Sequence, residues 1–432
     1  MGKVIRIGLL GAGTVGTGTA RVLELNQHEI AERVGASIVV SKVLVRDPAK
    51  ERPYLAQAER TSNFADILQD ESIDIIVELM GRLHPAKEYM LQALAAGKRV
   101  VTANKDVIAQ FGHELFDMAA AHQTEIFFEA SVGGGIPIIT PLKECLNANR
   151  ITEIMGIVNG TTNYMLTKMA ECGSDYDSVL KEAQQKGYAE ADPTADVGGL
   201  DAARKAVILS SIAFNSRVRL EDVSVEGITK ITPDDIAYAA DLGYVVKLLA
   251  VGKDSADGIN VRVHPVFLPK THPLASVNGV YNAIFVHGNA IGDAMFYGQG
   301  AGSLPTASAV VADIMRAAQD ICRGQLSSVG CTCYEQKPIC PLEKTRSSYY
   351  VRLLVDDEPG VLAQIATAFG DAGVSLKSVI QTRQNVVDHA EIVAITHTVE
   401  HAKIQKAMDT IRELSVVDEV RNIIRVENGE DE

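Results

Sequence analysis

Apolar positions in the first third of the chain fall in short runs: Val4–Leu10, Ile38–Val45, Ile73–Leu79, Arg99–Thr102 and Glu125–Glu129. Glycine turns and stretches of helical spacing, such as Pro85–Ala96 and Asp106–His122, separate them. Apolar runs alternating with helices predict βαβ units and a parallel sheet covered on both faces. This is the pattern of an α/β, doubly wound domain, expected over residues 1–135. Beyond Pro141 the strands lengthen (Ile151–Val158, Ile259–Pro265) and helices fall near Asp177–Lys186 and Gly199–Phe214, predicting an α+β domain over 136–322. Within it, residues 299–322 read as a glycine turn and a long apolar helix, SAVVADIMRAAQDIC, expected to pack back on the first domain. Residues 323–348 have no clear period and read as a linker. From Tyr349 the order strand, helix, strand, strand, helix, strand predicts a ferredoxin-like βαββαβ module over 349–427.

Composition narrows the ligands. The net charge of −14, with no block of Lys or Arg, excludes a nucleic-acid surface, which needs concentrated positive charge. No apolar run approaches the roughly 20 residues of a membrane span. The N-terminal MGKVIRIGLLGAG lacks the pattern of an export signal, so a cytoplasmic, soluble protein with small-molecule ligands is expected. Six cysteines are too few for a disulfide framework in so long a chain. Cys322, Cys331, Cys333 and Cys340 cluster, but their separations lack C-x-x-C knuckles, which favours unpaired linker thiols over a metal site.

The run IGLLGAGTVGTG sets Gly11, Gly13 and Gly16 in G-x-G-x-x-G spacing between a strand and a helix. The first glycine suits a tight turn, the second a close approach of backbone to a pyrophosphate, and the third close helix packing. Thr14 and Val15 then begin the helix whose free N–H groups meet phosphate. Past the second strand, Arg46 precedes Asp47. An arginine there accepts the 2′-phosphate of NADP, whereas an acid binds the ribose of NAD, so NADP is favoured with NAD open. A solvated Arg–Asp pair in a surface turn is the other reading.

The segment VTANKD ends a strand at Thr102 and brings Asn104 and Lys105 to the carboxyl edge of the sheet, where ligands bind. GYAEADPTADVGGLDAARK gathers Glu190, Asp196, Asp201 and Lys205. Asp201 and Lys205 are four apart in an expected helix and share a face, for chemistry or for a structural salt bridge.

These segments resemble homoserine dehydrogenases. VELMG near Glu78, VTANK at Lys105, EASVGGGIPII from Glu129, GIVNGTTNYML from Gly156, GYAEADPTADVGGLDAARK from Gly187 and GAGSLPTASAVVADI from Gly300 follow the family's order. The resemblance implies reversible, NADP(H)-preferring reduction of L-aspartate 4-semialdehyde to L-homoserine, on the route to threonine, methionine and isoleucine. It implies that Lys205 transfers the proton, with Asp201 and Lys105 beside it, and that Glu190, Asp196 and Asp201 hold homoserine. Lys105, Thr102, Gly187 and Gly302 are expected along the cofactor. Mutual proximity of Lys105 and Lys205 would help tune them for proton transfer. Glu129, through its side chain, and Val132, Gly134 and Ile136, through their carbonyls, are expected to hold a monovalent cation, typically sodium; a plain interdomain turn is the alternative. Two positions depart from the family: Arg82, where a small residue is expected, and Gln299, where proline is frequent. The C-terminal module, with DDEPGVLAQIATAFGDAGV, resembles an ACT domain. This implies a threonine effector at Asp357, Pro359, Gly360 and Val361, or a module that only dimerises, and a homo-oligomer that is at least a dimer. A dehydrogenase for another small hydroxy or amino acid leaves the 187–205 stretch unexplained, and a non-catalytic sensor leaves the two lysines without a purpose.

Overall fold

The computed structural model describes residues 3–326, 329–383 and 389–427. The chain divides into two compact units that interleave along the sequence: residues 1–158, 204–222 and 281–337 form one, and 159–203, 223–280 and 338–432 the other. The linear segmentation into 1–135, 136–322 and a linker differs from this division, because later strands and residues 204–222 also belong to the first unit; the long helix returns to it as expected.

In the first unit a six-stranded parallel sheet has the order Glu59–Thr61, Ser37–Leu44, Val4–Leu10, Ile75–Glu78, Arg99–Thr102, Ile126–Phe127. Ile5, Ile7, Leu9, Ile75, Val77 and Val101 are at most 1% exposed, as central strands covered on both faces require. The edge strand Glu59–Thr61 has no apolar residue, which is why periodicity does not reveal it. Strand order reverses around Val4–Leu10, so the ligand-binding switch point falls at Gly11. The helix Ser303–Arg323 places Ala309, Val310, Val311, Ile314, Ala317 and Ala318 in the same core. It approaches the helix Thr14–Leu25 so closely that a Cβ on Gly18 would stand 2.6 Å from Ser303 Oγ. Strands Ile151–Ile157, Tyr281–Gly288 and Gly292–Gln299 pair antiparallel in this unit.

In the second unit the hairpin Tyr244–Ser255 and Gly258–Pro269 pairs along its whole length. The C-terminal strands run in the order Val417–Val426, Arg346–Asp356, His389–Thr396, Leu376–Arg383, with helices Val361–Asp371 and His401–Arg412 closing over Tyr349, Val351, Leu353 and Val355. Pairing of Val266 with Arg425 and of Phe267 with Val426 continues this sheet into the hairpin. Arg352, 2% exposed, is held by Asp235 (2.9 Å), Glu391 (3.1 Å) and Asp234 (3.1 Å), and donates to Thr232 Oγ1 at 2.8 Å. Such a buried cation is tolerable only with this many anionic partners.

The expected linker, residues 323–348, is tied down along its middle, and its last residues from Arg346 already belong to a strand. In the first unit Glu335 N–H donates to Asn215 O at 2.9 Å, and in the second the amide of Cys340 donates to Ile259 O at 2.8 Å. No helix among the described residues is long and apolar enough to cross a membrane.

Candidate active site

The glycine turn is built by backbone. Gly11 has φ 97°, and a Cβ there would lie 2.8 Å from Leu79 O. A Cβ on Gly16 would lie 2.2 Å from Gly11 O, so only glycine lets the helix start this close to the strand. Around Gly13 nothing lies within 4 Å of a built Cβ, leaving open space where a pyrophosphate would approach the N–H groups of Thr14 and Val15. Ser303 Oγ donates to Thr14 O at 2.9 Å, which brings Gly302, φ 124°, to the same turn. Arg46 follows strand Ser37–Leu44 by two residues; it is exposed and makes no hydrogen bond or ion pair among the described residues. Arg52, which sequence reasoning passed over, donates Nη1 to Ala12 O at 3.3 Å and adds a second guanidinium at this edge.

At the end of Arg99–Thr102 a polar chain sets the position of Lys105. The fully buried Glu78 accepts Thr102 Oγ1 at 2.7 Å and the Met80 amide at 2.8 Å. Burial pushes the Glu78 carboxyl above its ordinary pKa, against these hydrogen bonds. Thr102 Oγ1 accepts the Asn104 amide at 3.0 Å. Asn104 caps the helix Lys105–Ala121 through Val107 N and donates Nδ2 to Arg82 O at 2.7 Å. Thr102 therefore positions its neighbours: its side chain is fully buried with its hydroxyl bound to Glu78, so the expectation that it touches the cofactor is corrected. Arg82 has φ 64°, in the left-handed region, which explains why a small residue suits that position. Lys105 is the first residue of its helix, where a cation opposes the helix dipole. A lysine placed there works against local stability, as functional groups commonly do.

Lys205, on the helix Leu200–Ala213, donates Nζ to Val158 O at 2.6 Å, at the end of strand Ile151–Ile157. Its neighbour Arg204 pairs with Asp106 at 2.9 Å, linking this helix to the one that begins at Lys105.

In the second unit the next residue after Val158 organises the acids. Asn159 caps helix Gly160–Cys172 by accepting Thr162 N at 2.9 Å. Its Nδ2 donates to Asp196 Oδ1 at 2.8 Å and to Asp201 Oδ2 at 2.9 Å. One buried amide thus brings two predicted carboxylates together. Asn159 carries no charge and lies far from them in sequence, so only its helix-capping position before G-T-T hinted at it. One turn further, Asn163 Oδ1 accepts Lys247 Nζ at 3.1 Å, and Lys247 also donates to Val277 O and Asn278 Oδ1. Burial holds the Lys247 ammonium down at about 8. Glu190 is not drawn into this cluster: its carboxylate is exposed and unpaired among the described residues, near Gly187 at φ 73°.

Glu129 accepts the backbone amides of Ile138 (2.6 Å), Ile139 (2.8 Å) and Thr140 (2.8 Å). Its own N–H donates to Asp313 Oδ2 at 2.8 Å, and burial together with the Glu129 charge pushes Asp313 up to about 8. In the following loop Ile136 N–H takes the carbonyl of Gly133. Among the described residues, the buried Val132, Gly134 and Ile136 receive no backbone hydrogen bond on theirs. In the C-terminal module Asp357, Pro359 and Gly360 form an exposed strand-to-helix turn; Gly360, φ 97°, caps the helix that starts at the buried Val361.

A doubly wound sheet with a G-x-G-x-x-G turn at its switch point, in the same unit as Lys105 and Lys205, defines an NAD(P)-dependent oxidoreductase. Family profiles agree. Residues 11–129 match "Homoserine dehydrogenase, NAD binding domain", 137–315 match "Homoserine dehydrogenase", and 349–416 match "ACT domain". The homoserine dehydrogenase of Synechocystis sp. (strain ATCC 27184 / PCC 6803 / Kazusa) is 46% identical over 434 residues, covering 98% of this chain and 99% of that protein. The crystal structure of a homoserine dehydrogenase from Thiobacillus denitrificans is 42% identical with a TM-score of 0.94, covering 99% of both chains. A hyperthermophilic archaeal homoserine dehydrogenase in complex with NADPH is 28% identical with a TM-score of 0.62, covering 73% of this chain and 97% of that one. The chain belongs to the homoserine dehydrogenase family.

Proposed function

We propose that the enzyme reduces L-aspartate 4-semialdehyde to L-homoserine with NADPH in preference to NADH, and that threonine restrains it through the C-terminal module. The observation that carries the substrate reading is the Asn159 amide, which joins Asp196 to Asp201, itself one helical turn before Lys205. Asp201 and Asp196 receive the substrate ammonium, whose donors need anionic acceptors. Glu190, exposed and unpaired among the described residues, adds a third carboxylate to the bound amino acid. When bound, the cofactor would supply a hydride for the carbonyl carbon. Lys205 delivers the proton to the oxygen as negative charge develops there, and Lys105 stabilises the same oxygen. Gly11, Gly13, Thr14, Val15 and Gly16 would hold the cofactor's pyrophosphate, and Gly302, together with Gly187 by its match to the family, would serve the nicotinamide. Arg46 and Arg52 favour a 2′-phosphate, in keeping with the NADPH complex of the archaeal relative.

The loop 129–136 suits a monovalent cation such as sodium. Three buried residues have carbonyls without a backbone donor among the described residues, and Glu129, having accepted three amides, keeps capacity for one further partner. Asp357, Pro359, Gly360 and Val361 would receive threonine. The enzyme acts in the cytoplasm as a homo-oligomer, at least a dimer, in the biosynthesis of threonine, methionine and isoleucine.

The test is NADPH consumption by purified protein with L-aspartate 4-semialdehyde, with and without threonine. Rapid oxidation, slowed by threonine, is expected. Oxidation indifferent to threonine removes the regulatory reading, and absence of oxidation with NADPH or NADH removes the substrate reading.

A further inference from the structure

A cavity of about 390 Å³ lies within the first unit, between the helix that begins at Lys105 and the helix that carries Lys205. None of the residues assigned above to cofactor, substrate or cation lines it. Phe111 and Phe116 line it from the first helix, Val207 and Ile212 from the second, and the buried Phe128 from the end of the parallel sheet. Its rim is fastened to the second helix: Cys333 Sγ donates to Ser211 O at 3.7 Å, and Ser211 Oγ accepts the Val218 amide at 3.1 Å. A concave, largely apolar volume of this size with a few polar groups is the usual form of a small-molecule site.

Those polar groups are unbalanced in charge. Besides His113, the charged side chains on the lining are Lys143, Arg217, Arg219 and Glu221, and Arg219 pairs with Glu221 at 3.2 Å. Arg217 and Lys143 remain, neither with an ion pair or hydrogen bond among the described residues. Arg217 is exposed at the mouth. Lys143 is half-buried, its ammonium 5.4 Å from the centre of the Phe128 ring and 5.8 Å from that of Phe116. The acids that act on it are already engaged: Glu144 pairs with Arg316, and Asp313 accepts the Glu129 N–H at 2.8 Å. Burial, then the charge of Arg316, hold the Lys143 ammonium down at about 8, so at neutral pH it stays a cation short of an anion. Aromatic faces offset only part of the cost of desolvating a cation. A carboxylate would add the charge-assisted hydrogen bond that the protein does not supply.

We propose that this cavity binds a small apolar monocarboxylate, an acid with an aromatic or branched aliphatic body. Its carboxylate meets Lys143 and Arg217, and its body lies against Phe111, Phe116, Val207 and Ile212. One negative charge suffices, because only one of the two cations is shielded from water. A phosphate, with more charge to desolvate and no apolar body, gains little from these walls. The bound acid packs against both helices that present Lys105 and Lys205 and leaves the cofactor turn free.

The probe is 3-phenylpropanoate, titrated into the full-length protein by calorimetry. One site per chain with a Kd on the order of 0.1–1 mM is expected, the range open to a ligand of this size. Saturating NADPH should leave that affinity unchanged. The amide 3-phenylpropanamide, with the same ring and no charge, should bind at least roughly tenfold more weakly. Lys143→Met, which keeps the apolar stem and removes the charge, should weaken 3-phenylpropanoate by roughly tenfold, whereas Lys143→Arg should bind it nearly as the parent does. Arg217→Met should have a smaller effect, since an exposed charge contributes less. All three variants should keep the circular dichroism of the parent protein. The proposal is overturned by absence of binding up to about 10 mM, by equal affinity for the amide, by displacement with NADPH, or by undiminished affinity in Lys143→Met.

Discussion

The cofactor turn and the acidic cluster solve the same problem with different material. Between Gly11 and Gly16 the arrangement is all backbone: what matters is the side chain that is missing, since a Cβ on Gly16 would sit 2.2 Å from Gly11 O. Around Asn159 it is all side chain, one amide bridging Asp196 and Asp201 and itself fixed by a helix cap. A backbone site tolerates no added atom but asks little of distant residues. A side-chain site depends on supports several residues removed, and its failures should appear in turnover before they appear in folding.

The largest effect is expected from Lys205→Ala, which should lower kcat by roughly 10²–10⁴-fold, the usual contribution of a positioned proton donor. Cofactor affinity, measured by NADPH fluorescence titration, should stay within about twofold; a small loss of kcat would remove the lysine from the proton-transfer step. Next is Asn159→Ala, expected to lower kcat/KM by on the order of 100-fold, since two carboxylates lose a shared donor worth about 1.5 kcal/mol or more to each. Asn159→Asp should be worse, with a third carboxylate set against the pair. Gly16→Ala should act differently. It should cost about 1–3 kcal/mol in stability through overpacking and raise the KM for NADPH, with kcat little altered in the molecules that fold. Arg46→Ala should reduce the NADPH to NADH preference by roughly tenfold, the loss of about one charge-assisted hydrogen bond. An unchanged ratio would pass that role to Arg52.

The smallest effect concerns the support beneath Asn159. Lys247 titrates at about 8 in the folded protein because it is buried, against an ordinary 10.5. Between these values the unfolded chain binds more protons than the folded one, so the Lys247 contribution makes stability rise with pH across that window, by at most about 1.4 kcal/mol per unit. Below about 8 the cost of the buried charge is present in full. Lys247→Met should lose this rise when denaturation midpoints are compared from about pH 8 upward, while melting lower near neutrality because Asn163, Val277 and Asn278 lose their donor.

Legibility in the sequence followed the same division. The glycine turn and the strands expected at Val4–Leu10, Ile38–Val45, Ile73–Leu79 and Arg99–Thr102 were readable because apolar runs and glycine spacing are local signals. The C-terminal βαββαβ order was readable for the same reason. Asn159 was not, because its partners lie beyond its own helix and an asparagine before a helix usually just caps it. The place of Thr102 was misread since its neighbour in sequence, Lys105, faces a different task from its partner in space, Glu78. Arg52 was overlooked for sitting in an irregular stretch with no period to mark it. The interleaving of residues 204–222 and of strands Tyr281–Gly288 and Gly292–Gln299 escaped a linear reading because nothing local says which unit they join, whereas the return of the helix Ser303–Arg323 to the first sheet was readable from its glycine turn and long apolar face.

That last feature bears on how the protein is made. The sheet ending at Phe127 is synthesised early, but the helix that supplies Val310, Ile314 and Ala317 to its core emerges only from Ser303 onward. At ordinary synthesis rates the delay is on the order of ten to forty seconds. Through that interval the nascent sheet exposes Ile7, Leu9 and Val77 along one side, a state for which chaperones exist. The ribosome therefore delivers the nucleotide-binding core unfinished, and its completion waits on the last third of the chain.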